Sequence, residues 1–174
     1  MSILILLNTQ AGFRHISRLS VTVLLLVAFV VIAQPAAAGG NTIPVQGTVH
    51  EVVYGGRNCP SPIQTCGKGP ISGSKLNGLL TGILNAEQAI YQNGQLVEFK
   101  FTGTATIDTF CGTLSGSFDG DQQVANSSIT AVLTITGGTL DCANIRGVLN
   151  LSTVANPHNE KLQEGTYTGY LTTN

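Results

Sequence analysis

The chain has 174 residues, a formal net charge of −1 and 43% hydrophobic residues. The charge is uneven, because residues 39–174 hold six of the eight Lys and Arg but all nine Asp and Glu, a net charge of −3. The six basic residues are scattered, whereas a nucleic-acid-binding protein normally carries them as a stripe or patch. The sequence therefore predicts no nucleic-acid partner, and the same scatter argues against binding to an anionic membrane surface.

Residues 1–38 have the pattern of a secretory signal peptide. Arg14 and Arg18 precede an apolar run over residues 19–33, and Pro35 and three alanines follow it. This order is typical of the charged, apolar and small-residue regions of a signal peptide. The run is shorter than the roughly 20 residues that a membrane-spanning helix needs. We therefore expect cleavage after Ala38 rather than a retained membrane anchor, and a secreted or periplasmic protein with no membrane association after cleavage.

Residues 39–174 are enough for one domain with a single core. They contain four cysteines, which in an oxidising compartment predict two disulfides with three possible connectivities. Cys59 and Cys66 bracket a short loop with two prolines, which favours a local bridge and leaves Cys111 to pair with Cys142. The gaps between these cysteines do not match the paired short spacings of a zinc site.

The first half of the domain alternates between strand and turn signals. Val45, Val49 and Val53 alternate with polar residues, which predicts a strand. Residues 55–74 are rich in Gly, Pro and Ser and are expected to form one long loop. A strand is predicted over residues 76–84, and Asn93-Gly94 between two apolar runs is the strongest short hairpin signal.

The second half continues the alternation. Apolar residues from Val97 to Ile107 share one face, a strand follows over residues 112–118, and Asp119-Gly120 is interpreted as a second tight turn. Alternating runs return at residues 129–136, 145–151 and 166–171. Seven or eight short strands without an amphipathic helix predict an all-β fold. We expect a single small antiparallel β-barrel of about eight strands over residues 39–174, since closure removes exposed sheet edges.

The stretch over residues 135–151 resembles a late strand pair of the allene oxide cyclase and dirigent-like β-barrel superfamily. A Gly137-Gly138-Thr139 turn leads through Ala143 to Gly147 and an alternating strand, as in that superfamily. The chain departs from the pattern at Leu140, Cys142 and Ile145. The resemblance implies an eight-stranded antiparallel barrel whose mouth admits an apolar small molecule. It places none of the cyclases' catalytic residues on this chain.

No residues form a recognisable catalytic or metal-binding set. His50 and Glu51 are adjacent in a predicted strand and therefore point to opposite faces. His158 and Glu160 lie in a polar loop without a third ligand, and Asp119-Gly120-Asp121 lacks the later oxygen ligands of a calcium loop. No Gly-x-Ser-x-Gly motif is present. The sequence thus favours a non-enzymatic protein with no cofactor and no metal, and leaves the oligomeric state open.

The proposed inward face combines bulky residues with small ones, which predicts incomplete filling of the barrel. Barrels of about eight strands are either filled by side chains or hold one small ligand. We expect an apolar cavity at one barrel end that binds an apolar small molecule. The alternatives are an isomerase or cyclase of the barrel type and a structural extracellular protein. The residues expected to line the cavity are Val97, Phe99, Phe101, Ile135 and Leu149.

Overall fold

The computed structural model describes residues 40–173, which form a closed barrel of eight antiparallel strands in sequential order. The last strand pairs with the first, from Asn41 opposite Thr173 to Val52 opposite Leu162, so closure is complete. The predicted all-β barrel is confirmed. The strands are β1 (Asn41–Tyr54), β2 (Cys66–Gly73), β3 (Gly78–Gln92), β4 (Gln95–Thr109), β5 (Gly112–Gln123), β6 (Ser128–Gly138), β7 (Ile145–Asn156) and β8 (Asn159–Thr173), with one 3-10 turn at Leu140–Cys142.

The strands follow the period-two alternation of the sequence. On β4 the inward residues Ala105 and Ile107 are buried while their outward neighbours Thr104 and Asp108 are exposed. The Asn93-Gly94 turn joins β3 to β4 as predicted, with positive φ angles of 51° and 80° at its two residues. Positive φ at both central residues is the requirement of the tight hairpin turn that Asn-Gly favours.

The two ends of the barrel differ in how well they are filled. At the end that holds the β2–β3, β4–β5 and β6–β7 connections, buried side chains pack against one another in the interior. Tyr167 is the largest of these, with 1% of its surface exposed, and its hydroxyl donates a hydrogen bond of 3.0 Å to the Leu76 carbonyl. Gly47 and Gly73 make room for the Tyr167 side chain, because a methyl group would overlap its ring at Gly47 and its hydroxyl oxygen at Gly73. We call this the closed end, and the opposite one the open end.

The prediction of one long loop over residues 55–74 is wrong for the second half of that range. Residues from Cys66 onward form β2, which pairs with both β1 and β3. Pro70 cannot donate a hydrogen bond to a neighbouring strand. The β1–β2 ladder is accordingly interrupted opposite it, between the Val49–Ile71 and Val52–Lys68 pairs. β2 can contain this proline because β1 and β2 are not paired at that point.

Asp119-Gly120 is not a turn, contrary to the sequence interpretation. Both residues lie inside β5, and the strand continues to Gln123 before the connection to β6. Gly120 faces inward, where a methyl group would lie only 2.7 Å from Cζ of Phe101. This glycine provides space for an aromatic ring, which is a role that local sequence does not distinguish from turn formation.

Two disulfides fasten the connections at opposite ends of the barrel. The structure pairs Cys59 with Cys66 and Cys111 with Cys142, as the spacing predicts, with Cα–Cα distances of 5.7 and 5.4 Å. Both distances lie in the usual disulfide range. Two disulfides fit an oxidising, extracytoplasmic environment. Within residues 40–173, no helix is long and apolar enough to cross a membrane. The predicted signal peptide, residues 1–38, lies outside the described residues.

Candidate functional site

A cavity of about 440 Å³ occupies the open end of the barrel. Its volume lies within the range of small-molecule sites, which are mostly apolar clefts with a few polar groups. Side chains from all eight strands contribute to its wall, so it is the unfilled part of the barrel interior and not a surface groove. The apolar residues of the wall include Val53, Leu80, Leu84, Phe99, Phe101, Phe118, Ile129, Leu133 and Leu151.

Aromatic rings form one side of the cavity. The rings of Phe101 on β4 and Phe118 on β5 meet edge to face, with centroids 6.1 Å apart and planes at 66°. This arrangement is favourable for the quadrupoles of the two rings. Gly103 lies directly behind Phe118, because a methyl group there would meet Cζ of that ring. The glycines of the inward face therefore determine how close the rings lie to the barrel wall and how much of the barrel interior stays empty.

Two of the five residues expected to line the cavity do so, and three do not. Phe99 and Phe101 do line it and are half-buried. Ile135 and Leu149, with 2% and 0% of their surfaces exposed, instead pack in the core. Val97 is half-buried near the start of β4 and does not contribute to the wall. Alternation identifies the inward face correctly but does not show at which height along the barrel the filling stops.

Glu51 is the one charged side chain that the inward face of β1 carries. It follows Val45 and Val49 on that face, and it lines the cavity. Its carboxylate lies over Gly67 of β2, where a methyl group would overlap it, and reaches toward Gly82 of β3. Burial raises the pKa of Glu51 from 4.5 to about 7, and no ion pair within residues 40–173 offsets this effect.

Sequence reasoning placed His50 and Glu51 on opposite faces, and the structure agrees. His50 is exposed on the outer surface, with Nδ1 3.7 Å from Oε1 of Glu164. The role of Glu51 was nevertheless missed. A sequence signal for this role does exist. Glu51 is a carboxylate on the strand face that otherwise carries apolar residues, and glycines of the neighbouring strands leave room for it.

The rim of the cavity is acidic and amide-rich. Glu87 of β3 and Glu160 of β8 line it together with the side-chain amides of Gln122 and Gln163. His158 is exposed in the β7–β8 turn and does not line the cavity. No group of three His, Cys, Asp or Glu side chains in the described part of the chain is placed to hold a metal ion.

Comparison with protein-family models, with curated proteins and with solved structures found no match to this chain.

Proposed function

We propose that this chain is an exported binding protein that holds one small, largely apolar molecule inside its barrel. The observation that carries the proposal is the cavity of about 440 Å³ at the open end, with a mostly apolar wall and a few convergent polar groups. An engineered apolar cavity of about 150 Å³ in a protein core can stay dry and bind a small aromatic molecule. A larger cavity that opens at one end offers a ligand both space and a path of entry.

The proposed site of action is outside the cytoplasm. The two disulfides fit that environment, and the pattern over residues 1–38 is the proposed export signal. Expression of the full chain in a secreting host should yield a soluble product whose first residue is Gly39, as measured by N-terminal sequencing. Recovery of membrane-bound protein that retains residues 1–38 would contradict the proposal.

The resemblance of residues 135–151 to the allene oxide cyclase and dirigent-like superfamily remains a proposal. An eight-stranded antiparallel barrel is the architecture that this resemblance implies. Many unrelated proteins share such a barrel, so the common fold supports no particular activity.

Glu51 favours a second candidate, an enzyme of the isomerase type. A general base works best when its pKa lies near the operating pH, and burial brings that of Glu51 to about 7. Its carboxylate would take a proton from the carbon beside a carbonyl group and return one to the product. In D₂O, wild-type protein would then exchange the α-hydrogens of 2-decanone for deuterium faster than Glu51→Gln. Equal rates for the two proteins would exclude this candidate.

The binding proposal is tested by titration with N-phenyl-1-naphthylamine, a neutral probe that fluoresces in apolar surroundings. The cavity can be filled by Gly82→Val, because the first added carbon has ordinary contact distances of 3.5 Å to Glu51 and 3.8 Å to Phe118. We expect saturable one-to-one binding to wild-type protein and at least about tenfold weaker binding to Gly82→Val.

Thr81→Val is the matched control, since Thr81 neighbours Gly82 and does not line the cavity. It should bind the probe like wild type. Absence of binding to folded wild-type protein would refute the proposal and leave a structural role as the better account.

A further inference from the structure

We infer that the molecule held in this cavity carries a protonated amine on an apolar body, and that Glu51 binds its ammonium group. The inference rests on the proposed function and names the chemical class of its ligand.

The charges of the wall have one sign. Three carboxylates line the cavity, those of Glu51, Glu87 and Glu160, and no Lys, Arg or His among residues 40–173 does so. Arg57 and Lys161 lie in or beside the loops of the open end but are exposed and outside the wall. Like charges that approach each other in a poorly solvated site repel strongly. The cavity therefore disfavours the carboxylate of a fatty acid and favours a cation.

Glu51 forms no ion pair with any residue of the described range 40–173. The strands packed against Glu51 supply no positive charge toward the cavity. Toward the cavity, β2 presents glycine, β3 presents Gly82 and Glu87, β5 presents Phe118, and β8 presents Gln163 and Glu160. The Glu51 side chain is half-buried, and a carboxylate partly withdrawn from water is costly to ionise unless it is paired. An ammonium group in the cavity would supply that pairing and would hold Glu51 ionised.

The space beside Gly82 has the right neighbours for such a group. A carbon placed at the Cβ position of Gly82 would lie 3.5 Å from Oε1 of Glu51 and 3.8 Å from Cε1 of Phe118. A cation there contacts a carboxylate and lies against an aromatic ring. The apolar side chains farther along the wall would then surround the ligand's hydrocarbon part.

The experiment compares three ligands that share one hydrocarbon chain and differ in the head group. Decylamine, 1-decanol and decanoate each displace bound N-phenyl-1-naphthylamine from the protein at pH 8. An alkyl ammonium stays protonated at that pH, as the side chain of lysine does. Hydrogen bonds to charged groups are stronger than neutral ones, so decylamine should displace the probe at a concentration about tenfold or more below that of 1-decanol. Decanoate should be the weakest.

Two variants locate the effect. Glu51→Gln keeps the shape of the side chain and removes its charge, so decylamine should lose its advantage and come within about threefold of 1-decanol. Glu98→Gln removes a carboxylate that does not line the cavity and should leave all three affinities unchanged. Circular dichroism of each variant establishes that it is folded.

The affinity for decylamine should also rise between pH 5 and pH 8, as Glu51 loses its proton, while that for 1-decanol stays constant. The inference is overturned if decanoate binds as well as decylamine, or if decylamine keeps its advantage in Glu51→Gln. In both cases probe binding itself remains and the proposed function stands. If the probe does not bind to folded wild-type protein, the proposed function fails as well.

Discussion

Glu51 makes the stability of the barrel depend on pH in a defined direction. In the unfolded chain its carboxyl group ionises near 4.5, whereas in the barrel burial raises its pKa to about 7. Between these values the folded protein holds a proton that the unfolded chain has released. Stability falls with rising pH wherever the folded state binds more protons, so Glu51 lowers the free energy of unfolding progressively from about pH 4.5 to 7.

The size of the effect follows from the two pKa values. One pKa unit corresponds to about 1.4 kcal/mol, so a rise from 4.5 to about 7 corresponds to about 3 kcal/mol at pH 8. Native domains are stable by only about 5–15 kcal/mol, which makes this contribution measurable. Glu51→Gln removes the ionisable group, and it should be more stable than wild type at pH 8 and similar to it at pH 4.

The assay is chemical denaturation of wild type and Glu51→Gln at a series of pH values. Every other titrating group is common to the wild type and Glu51→Gln, so the difference between their curves isolates Glu51. We expect this difference to grow between pH 4.5 and 7 and then to level off. A difference that is flat with pH, or that favours wild type at pH 8, would refute the reasoning about Glu51.

Two further predictions follow from the barrel interior and the disulfides. Leu149→Ala should cost about 2–5 kcal/mol of stability, as expected for a fully buried leucine. Phe99→Ala should cost less stability, because Phe99 is half-buried at the cavity, and it should weaken probe binding. Equal losses of stability in the two variants, measured by denaturation, would contradict this difference between core and cavity. Mass mapping of non-reduced peptides should join Cys59 to Cys66, and a link from Cys59 to either of the other cysteines would contradict the pairing.

The barrel could be predicted from the sequence because its causes are local. Alternation of residues such as Ala105 and Ile107 with Thr104 and Asp108 sets strand direction and burial, and Asn93-Gly94 sets a hairpin. The wrong predictions concern residues whose role depends on a neighbouring strand. Gly120 makes room for Phe101, and Pro70 is accommodated by an interruption of the ladder with β1, so neither marks the loop or turn that its type suggests.

The site was harder to predict for the same physical reason. Whether an inward residue packs in a core or lines a cavity depends on the volume of side chains from other strands at the same height. Leu149 lies at a height that is filled, whereas Phe101 lies at one that is partly empty. Glu51 was visible as a carboxylate on an apolar face, but its burial follows from the glycines of β2 and β3, which only the strand register brings beside it.

Nuclear magnetic resonance can locate an apolar molecule bound at the open end of the barrel. Methyl-labelled protein is titrated with N-phenyl-1-naphthylamine, whose rings shift the signals of nearby methyl groups. Binding at the open end predicts large, saturable shifts at the cavity residues Leu84, Ile129 and Leu151 and small ones at Ile71 and Leu114 of the closed end. Shifts confined to methyl groups of the outer surface, or no shifts at saturating probe, would contradict it.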